Sequence, residues 1–355
     1  MRIPIEICNK VLLVGLNYKK NRGGMSSVIQ YYEPHFEKLR YVSTYSYPGK
    51  LYRMAYFALA IIKLFLLLLF DKRIQIVHIH TAADGSFFRA SIVMKLCKVF
   101  DKKIILHCHA SRFKDYYNES VNKLKILNIL NLSDVLVVLS NSWQDWFHRI
   151  GVDSNKIVVL NNITAFPQLK ENDCHDDKLH LLFLGLLGER KGIFDILKSI
   201  GEHKDEFYGK LIFKIGGNTH EEELIHAIKQ YGIEDFVLFE GWVSGDKKID
   251  LLNWADVYIL PSHNEGLPIG ILEAMSYGCA IISSSVGGIP EVVKNGHNGI
   301  IVEPGNTYEI ARAIQQMLDK HRLKSMSAVS KVIVSEYLPN RVIENLFGIY
   351  KKLLE

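Results

Sequence analysis

Two glutamates, Glu265 and Glu273, stand eight residues apart in the stretch Pro261-Ser262-His263-Asn264-Glu265-Gly266-Leu267-Pro268-Ile269-Gly270-Ile271-Leu272-Glu273-Ala274. An apolar run, Ala255 to Leu260, precedes it, and Ile271 to Tyr277 reads as a helix. The order is strand, glycine-containing loop, helix. Ligands in open α/β sheets bind at the carboxyl ends of the strands. Glycine lets backbone approach a ligand closely, and a helix N-terminus attracts anions through its free N–H groups and its dipole. An acidic residue on the loop is suited to hold sugar hydroxyls, and a second one two turns on to reach a ribose diol. A bare pair of glutamates at this spacing is usually two solvated carboxylates. The strand and loop around this pair argue for a site.

Other residues carry complementary chemistry. Arg190 and Lys191 follow an apolar run, Leu179–Leu184, and precede a helix opening near Gly192. Two cations there suit a phosphate clamp. A basic pair at a helix start is usually surface decoration, but it also opposes the helix dipole, and such a conflict between local rules is where function is expected. Gly23 and Gly24 follow the first apolar run and a basic loop, Lys19-Lys20-Asn21-Arg22, before a helix starting near Ser26. They read as a loop closing over an anionic or acceptor group, or as a plain strand–helix turn. Two H-x-H pairs, His78-Ile79-His80 and His107-Cys108-His109, end apolar runs, so alternation puts both histidines of a pair on one face. A metal site would need third and fourth ligands that the sequence does not identify, and a packed core histidine is the usual alternative. There is no D-x-D, and Asp176-Asp177 falls in a polar connecting stretch. Cations and helix dipoles, rather than bound metal, are therefore expected to neutralise an anionic leaving group.

The elements that must position these residues form two domains of ordinary size in 355 residues. With 48% hydrophobic and 23% charged residues the composition is that of a soluble globular protein. Runs Val11–Leu16, Ile74–His80, Lys103–His109 and Val135–Ser140 read as parallel strands buried on both faces. The second half repeats the pattern in Leu179–Leu184, Lys210–Ile215, Phe236–Phe239, Val257–Leu260, Ala280–Ser283 and Gly299–Val302. The polar stretch Asn162 to Lys178, with Pro167 and Lys170-Glu171-Asn172-Asp173, reads as the interdomain linker. Five scattered cysteines, Cys8, Cys97, Cys108, Cys174 and Cys279, argue for reduced thiols in a cytoplasmic setting rather than disulfides or a zinc site. Glu6, Asn9 and Lys10 break any secretory signal in Ile5 to Leu16. Residues 1–160 carry 23 Lys+Arg against 11 Asp+Glu, and the remainder 20 against 27. A basic first half suits an anionic substrate or lipid surface, or is ordinary surface scatter. Nucleic acid is disfavoured, because no arginine-rich or aromatic-interleaved basic stripe appears. Met54 to Phe70 is almost purely apolar, interrupted by Lys63. It allows a spanning helix, an ordinary packed helix or a helix in the membrane interface.

Taken in order, these pieces resemble the retaining glycosyltransferases of family four, whose E-x7-E motif Glu265 and Glu273 match. Further matching pieces are Leu184-Gly185 with Glu189-Arg190-Lys191-Gly192, Gly216-Gly217, Glu240-Gly241-Trp242-Val243 and Val286-Gly287-Gly288-Ile289-Pro290-Glu291, then Asn295-Gly296 and Asn298-Gly299. The resemblance runs from Gly23-Gly24 to a closing helix near Tyr350. It implies an α/β, GT-B fold, with two doubly wound Rossmann-like domains facing across a cleft. Residues 1–162 would form the acceptor-side domain, 163–178 the linker and 179–335 the nucleotide-sugar domain, with 336–355 packing back on the first. It implies retaining transfer of a hexose-type sugar from a nucleoside diphosphate sugar, UDP rather than GDP, without a metal cofactor. The acceptor would be a glycan or lipid-linked glycan in cell-surface polysaccharide synthesis, at the inner face of the cytoplasmic membrane.

By the same resemblance Lys191 and Arg190 serve the diphosphate, His109 lies near the donor sugar, Glu265 contacts the transferred sugar and Glu273 the ribose. The main chain of Gly266, Leu267, Pro268 and Ile269 holds sugar and phosphate. Trp242 and Val243 lie near the nucleobase, with Trp242 as a core residue the alternative. Gly216, Gly23 and Gly24 complete the donor contacts. The family carries an arginine directly after the glycine matched by Gly185, where this chain has Leu186, and Arg190 is expected to stand in. Two other readings are a GT-B epimerase or phosphorylase, and an inactive transferase-like partner subunit. An epimerase should lack the glutamate pair, and no pyridoxal lysine site for a phosphorylase is seen. Leu186 alone favours the inactive subunit.

Overall fold

Buried parallel strands read as continuous apolar runs because helices cover both faces of their sheet. The computed structural model describes all residues except Arg22, Tyr47, Pro48, Ala110 and 171–175. Arg22 of the basic loop, Ala110 after His109, and the linker residues around Cys174 thus lie outside the described residues. Met1–Thr164 with Tyr337–Glu355 form one compact unit, and Ala165–Glu336 the other.

The first unit holds β1 (Val11–Leu16), β2 (Tyr41–Tyr45), β3 (Ile76–Thr81), β4 (Lys103–Cys108), β5 (Val135–Val138) and β6 (Ile157–Val159), all parallel in the order β2-β1-β3-β4-β5-β6. The second holds β7 (Leu179–Leu186), β8 (Leu211–Asn218), β9 (Val237–Phe239), β10 (Val257–Leu260), β11 (Ala280–Ser284) and β12 (Gly299–Val302), parallel in the order β12-β11-β10-β7-β8-β9. In each sheet the order reverses beside the first strand, which is the doubly wound arrangement.

Strand β2 is not legible as an apolar run, and β6, Ile-Val-Val, is too short to mark a strand. Both are edge strands. β2, Tyr-Val-Ser-Thr-Tyr, alternates between half-buried and buried positions, and β6 is only three residues long.

Right-handed crossovers put the helices Lys50–Phe70, Asp84–Val99 and Lys123–Leu130 in one row on one face of the first sheet. There Leu64, Leu68, Phe87, Met94 and Ile129 meet Leu12, Val77 and Leu106 in a single core. On the opposite face the helix Gly24–Tyr32 contacts the last helix, Pro339–Leu354. In the Lys50–Phe70 helix only Ala60, Leu64 and Leu68 are buried. That differs from an ordinary packed helix, whose apolar residues turn inward.

Candidate active site

Two loops at the carboxyl ends of β7 and β10, neighbours in the second sheet, are locked together. After β7 the chain passes Gly188, a single 3-10 turn Glu189–Lys191, and Gly192, which opens the helix Ile193–Glu202. Gly192 holds φ +74°, and a Cβ there would meet the Pro261 carbonyl oxygen at 2.5 Å, so only glycine lets the loops touch. The His263 N–H donates to the Arg190 carbonyl at 2.9 Å. The Arg190 guanidinium returns a bond to the Asn264 carbonyl at 3.0 Å.

Those contacts deliver Lys191 to Glu265. Its ammonium pairs with the Glu265 carboxylate, and the Ser262 hydroxyl donates to the same oxygen at 3.0 Å. Glu265 is buried, at 8% exposure. A carboxylate out of water costs several kcal/mol unless paired, so Lys191 is what makes its position tenable. Behind it, Gly287 at φ +59° leaves room for the loop: a Cβ would lie 2.0 Å from the Glu265 carbonyl oxygen.

Glu273 sits in the helix Ile269–Tyr277 and is also buried. Lys248, from the helix Asp246–Trp254, bonds its carboxylate at 2.6 Å. Tyr258 of β10 feels both glutamates. Burial raises the pKa of its phenol, and the charges of Glu273 and Glu265 raise it further, while the hydroxyl donates to the Leu184 carbonyl at 2.8 Å. The structure thus gathers Lys191, Arg190, Glu265, Gly266 and Glu273 around the ends of β7 and β10.

Beside them lies a groove of about 730 Å³, lined by Leu186, Gly188, Arg190, Lys191, Thr219 and His220 among others. Thr219 and His220 hold left-handed backbone, φ +70° and +47°. For a β-branched threonine this conformation is strained by about 1–3 kcal/mol. It is held by the Thr219 hydroxyl, which donates to the Leu187 carbonyl at 2.7 Å. The buried Oδ1 of Asn218 has no partner among the described residues. Sequence reasoning missed Ser262, Lys248, Asn218, Thr219 and His220. Strain and pairing across elements leave no local signature. Trp242 is 37% exposed, which corrects its reading as a core residue, whereas Val243 is buried. Gly216 packs inward: a Cβ there would collide with the side chains of Leu184 and Val243.

His109, Gly23 and Gly24 belong to the first unit. Gly23 and Gly24 are exposed, at the start of the helix Gly24–Tyr32. His109, half-buried just past β4, closes a stack of four imidazoles on neighbouring strands β3 and β4. His80 Nδ1 and His109 Nε2 lie 2.9 Å apart, and His78 Nε2 and His107 Nδ1 3.3 Å apart, while the Tyr350 hydroxyl sits 2.8 Å from His78 Nδ1. Desolvation holds His78 and His109 down to about 3, and His80 and His107 well below the usual histidine range. The stack is therefore neutral at neutral pH.

Ligand atoms of His78, His80 and His107 lie within 4.8 Å of one another, which supplies the third imidazole the sequence did not reveal. As a metal site the set fits poorly. Both ring nitrogens of His78 are already engaged, leaving His80 Nε2 and His107 Nε2 as unpartnered donors among the described residues, where zinc takes three or four. Cys8, Cys97, Cys108 and Cys279 are buried thiols, with burial pushing Cys97 and Cys279 up to about 12.

A family model described as "Glycosyl transferases group 1" matches residues 164–331, and one described as "Glycosyltransferase Family 4" matches residues 27–164. An uncharacterized glycosyltransferase of Methanocaldococcus jannaschii is 30% identical over 184 residues, covering 51% of this chain and 46% of that protein. The chain thus spans less than half the length of that relative. The 2-deoxystreptamine N-acetyl-D-glucosaminyltransferase of Niallia circulans is 26% identical over 293 residues, 77% of this chain and 75% of that one. HepE of Anabaena, solved in complex with UDP, superposes with a TM-score of 0.77 at 15% identity, over 97% of this chain and 100% of that one. At that identity the likeness is one of fold.

Proposed function

This chain belongs to the family 4 glycosyltransferases, and on that premise we propose that it moves a hexose-type sugar from a nucleoside diphosphate sugar, with retention of anomeric configuration. The acceptor is a glycan or lipid-linked glycan in cell-surface polysaccharide synthesis, which puts the enzyme in the cytoplasm, at the inner face of the cytoplasmic membrane. UDP is the favoured base, in keeping with the UDP complex of HepE. The single observation that carries the reading is the Lys191–Glu265 pair, buried where two loops meet at the strand ends.

In this reading Lys191 shares its charge between Glu265 and the leaving diphosphate as the bond from the sugar carbon to that diphosphate breaks. Arg190 takes the place of the cation missing at Leu186, because its bond to the Asn264 carbonyl holds it beside Glu265. The backbone of Gly266 to Ile269, at the helix N-terminus, receives phosphate and sugar. Glu265 orients the transferred sugar and Glu273 the ribose. Trp242, Val243 and Gly216 flank the base, and the strained Thr219–His220 turn lines the groove beside Arg190 and Lys191. In the first unit, His109 offers a neutral imidazole able to donate or accept a hydrogen bond. No metal enters the scheme, since the sequence lacks D-x-D and two cations serve the leaving group.

The test is a thermal-shift screen of UDP, GDP and their hexose derivatives, followed by release of nucleoside diphosphate in the presence of acceptor. Binding stabilises by RT ln(1 + [L]/Kd), so a donor at 100 Kd adds about 2.7 kcal/mol. A flat response to every nucleotide sugar would remove the reading.

A further inference from the structure

We propose that the Lys50–Phe70 helix is an in-plane membrane anchor that docks the first unit on an anionic bilayer. The proposal rests on the reading above only for its purpose, delivery of a lipid-linked acceptor; the contact itself is argued from the helix.

Among the described residues this is the one helix long and apolar enough to cross a membrane. Its 21 residues span about 31 Å, the thickness of the hydrocarbon core. Topology rules crossing out. The strands before and after it, β2 and β3, both pair with β1, so its two ends lie on one side. Ala60, Leu64 and Leu68 hold its inner stripe in the core, and Phe65 meets Phe100 edge to face at 5.4 Å.

The outer stripe is where a water-facing helix carries charge. Here Leu51, Ala55, Leu59, Ile62, Leu66 and Phe70 recur at three- and four-residue steps. Leu59 is 67% exposed and Phe70 76%. Together with Lys63 and Arg73, four of these residues line an open groove of about 810 Å³. Exposed apolar patches of this kind mark interaction surfaces.

Charge identifies the occupant. Residues 50–103 carry ten Lys+Arg against three Asp+Glu. One of the three, Asp71, is tied to Arg40 at 2.7 Å and Arg73 at 2.9 Å. Lys50 and Arg53 stand at one end of the helix, Lys72 and Arg73 just past the other. The neighbouring helix in the row exposes Phe88 and Val99 beside Lys95 and Lys98, and Lys95 shares a second groove, of about 500 Å³, with Leu124. Interfaces with proteins are depleted in lysine, whereas apolar stripes rimmed by lysine and arginine are the pattern of helices lying at anionic lipid.

The experiment is flotation of the intact protein with phosphatidylcholine vesicles, alone or with about a third phosphatidylglycerol. The wild type should float with the anionic vesicles, weakly with the neutral ones, and less as salt rises. L59D/I62D/L66D, all at exposed positions, should stay in solution with an unchanged melting temperature. K63A/K72A should bind roughly thirtyfold more weakly, at about tenfold per 1.4 kcal/mol and about 1 kcal/mol per basic residue. The proposal is overturned if the folded wild type does not float, or if the triple variant floats as well. It is also overturned if light scattering finds a dimer that the triple variant dissolves, which would give the face to a second copy. Release of nucleoside diphosphate without vesicles tests the transferase reading separately, so either result stands without the other.

Discussion

Both units place polar side chains at the carboxyl ends of six parallel strands, yet by opposite means. The first unit uses four imidazoles, stacked and held neutral by desolvation. The second uses two buried carboxylates, each matched by a lysine from another element. Neutral imidazoles tolerate burial without counterions, and they offer hydrogen bonds rather than charge. Buried ion pairs are tenable only while both partners stay, and they supply charge that a ligand can recruit. Within the second unit, charge held in lysine–glutamate pairs is what the proposed charged donor would recruit.

The sharpest way to break this contrast is at Lys191. Lys191→Ala should lower turnover by two to three orders of magnitude, because losing a group that stabilises developing charge typically costs about 3–4 kcal/mol. It should also lower the melting temperature, since Glu265 is left buried without its cation. Steady-state rates and a thermal melt read both effects. A wild-type rate would remove Lys191 from the leaving group. Arg190→Ala should act in the same direction with a smaller loss of rate and little loss of stability, since its charged group is exposed. An unchanged rate there would mean that another residue substitutes for the cation missing at Leu186.

Acid should separate the two units. A buried histidine whose folded pKa is depressed adds nothing to the pH dependence above its unfolded value, near 6.5. Below that, the unfolded chain binds protons that the folded chain refuses. Stability therefore falls between about pH 6.5 and 3, by up to about 1.4 kcal/mol per pH unit for each histidine. Melting followed by hydrogen exchange should show amides of β3 and β4 losing protection in this window before those of β7 and β10. Simultaneous loss in both units would contradict the neutral-stack description. The smallest effect is expected from chelation, which should leave the transfer rate nearly unchanged. A rate abolished by chelator and restored by magnesium or manganese would replace the two-cation scheme.

How far the sequence could be read follows the same physics. Central strands such as β1, β10 and β11 were legible because burial on both faces leaves an uninterrupted apolar run. β2 was not, since it alternates half-buried and buried positions, and β6 was not, being only three residues long. Glu265, Lys191 and Arg190 could be singled out by residue type and by their place after a strand. Their pairing could not, because it depends on Gly192 and Gly287 letting distant loops touch. Lys248 carries no local sign, lying twenty-five residues from the glutamate it bonds. The apolar run 54–70 was visible, but its direction of exposure depends on which stripe the sheet takes up.

Calorimetry of Glu265→Gln and Glu273→Gln, each titrated with the nucleoside diphosphate and with the full donor, tests the central claim most directly. Glu265 stands on the loop after β10, paired with Lys191 from the loop after β7, and Glu273 lies two turns further along. Glu265→Gln should keep or improve affinity for the free diphosphate, because Lys191 is released to it, while turnover falls. Glu273→Gln should weaken diphosphate and donor alike. The account is contradicted if Glu265→Gln loses the free nucleotide while Glu273→Gln keeps it, or if neither substitution changes binding or rate.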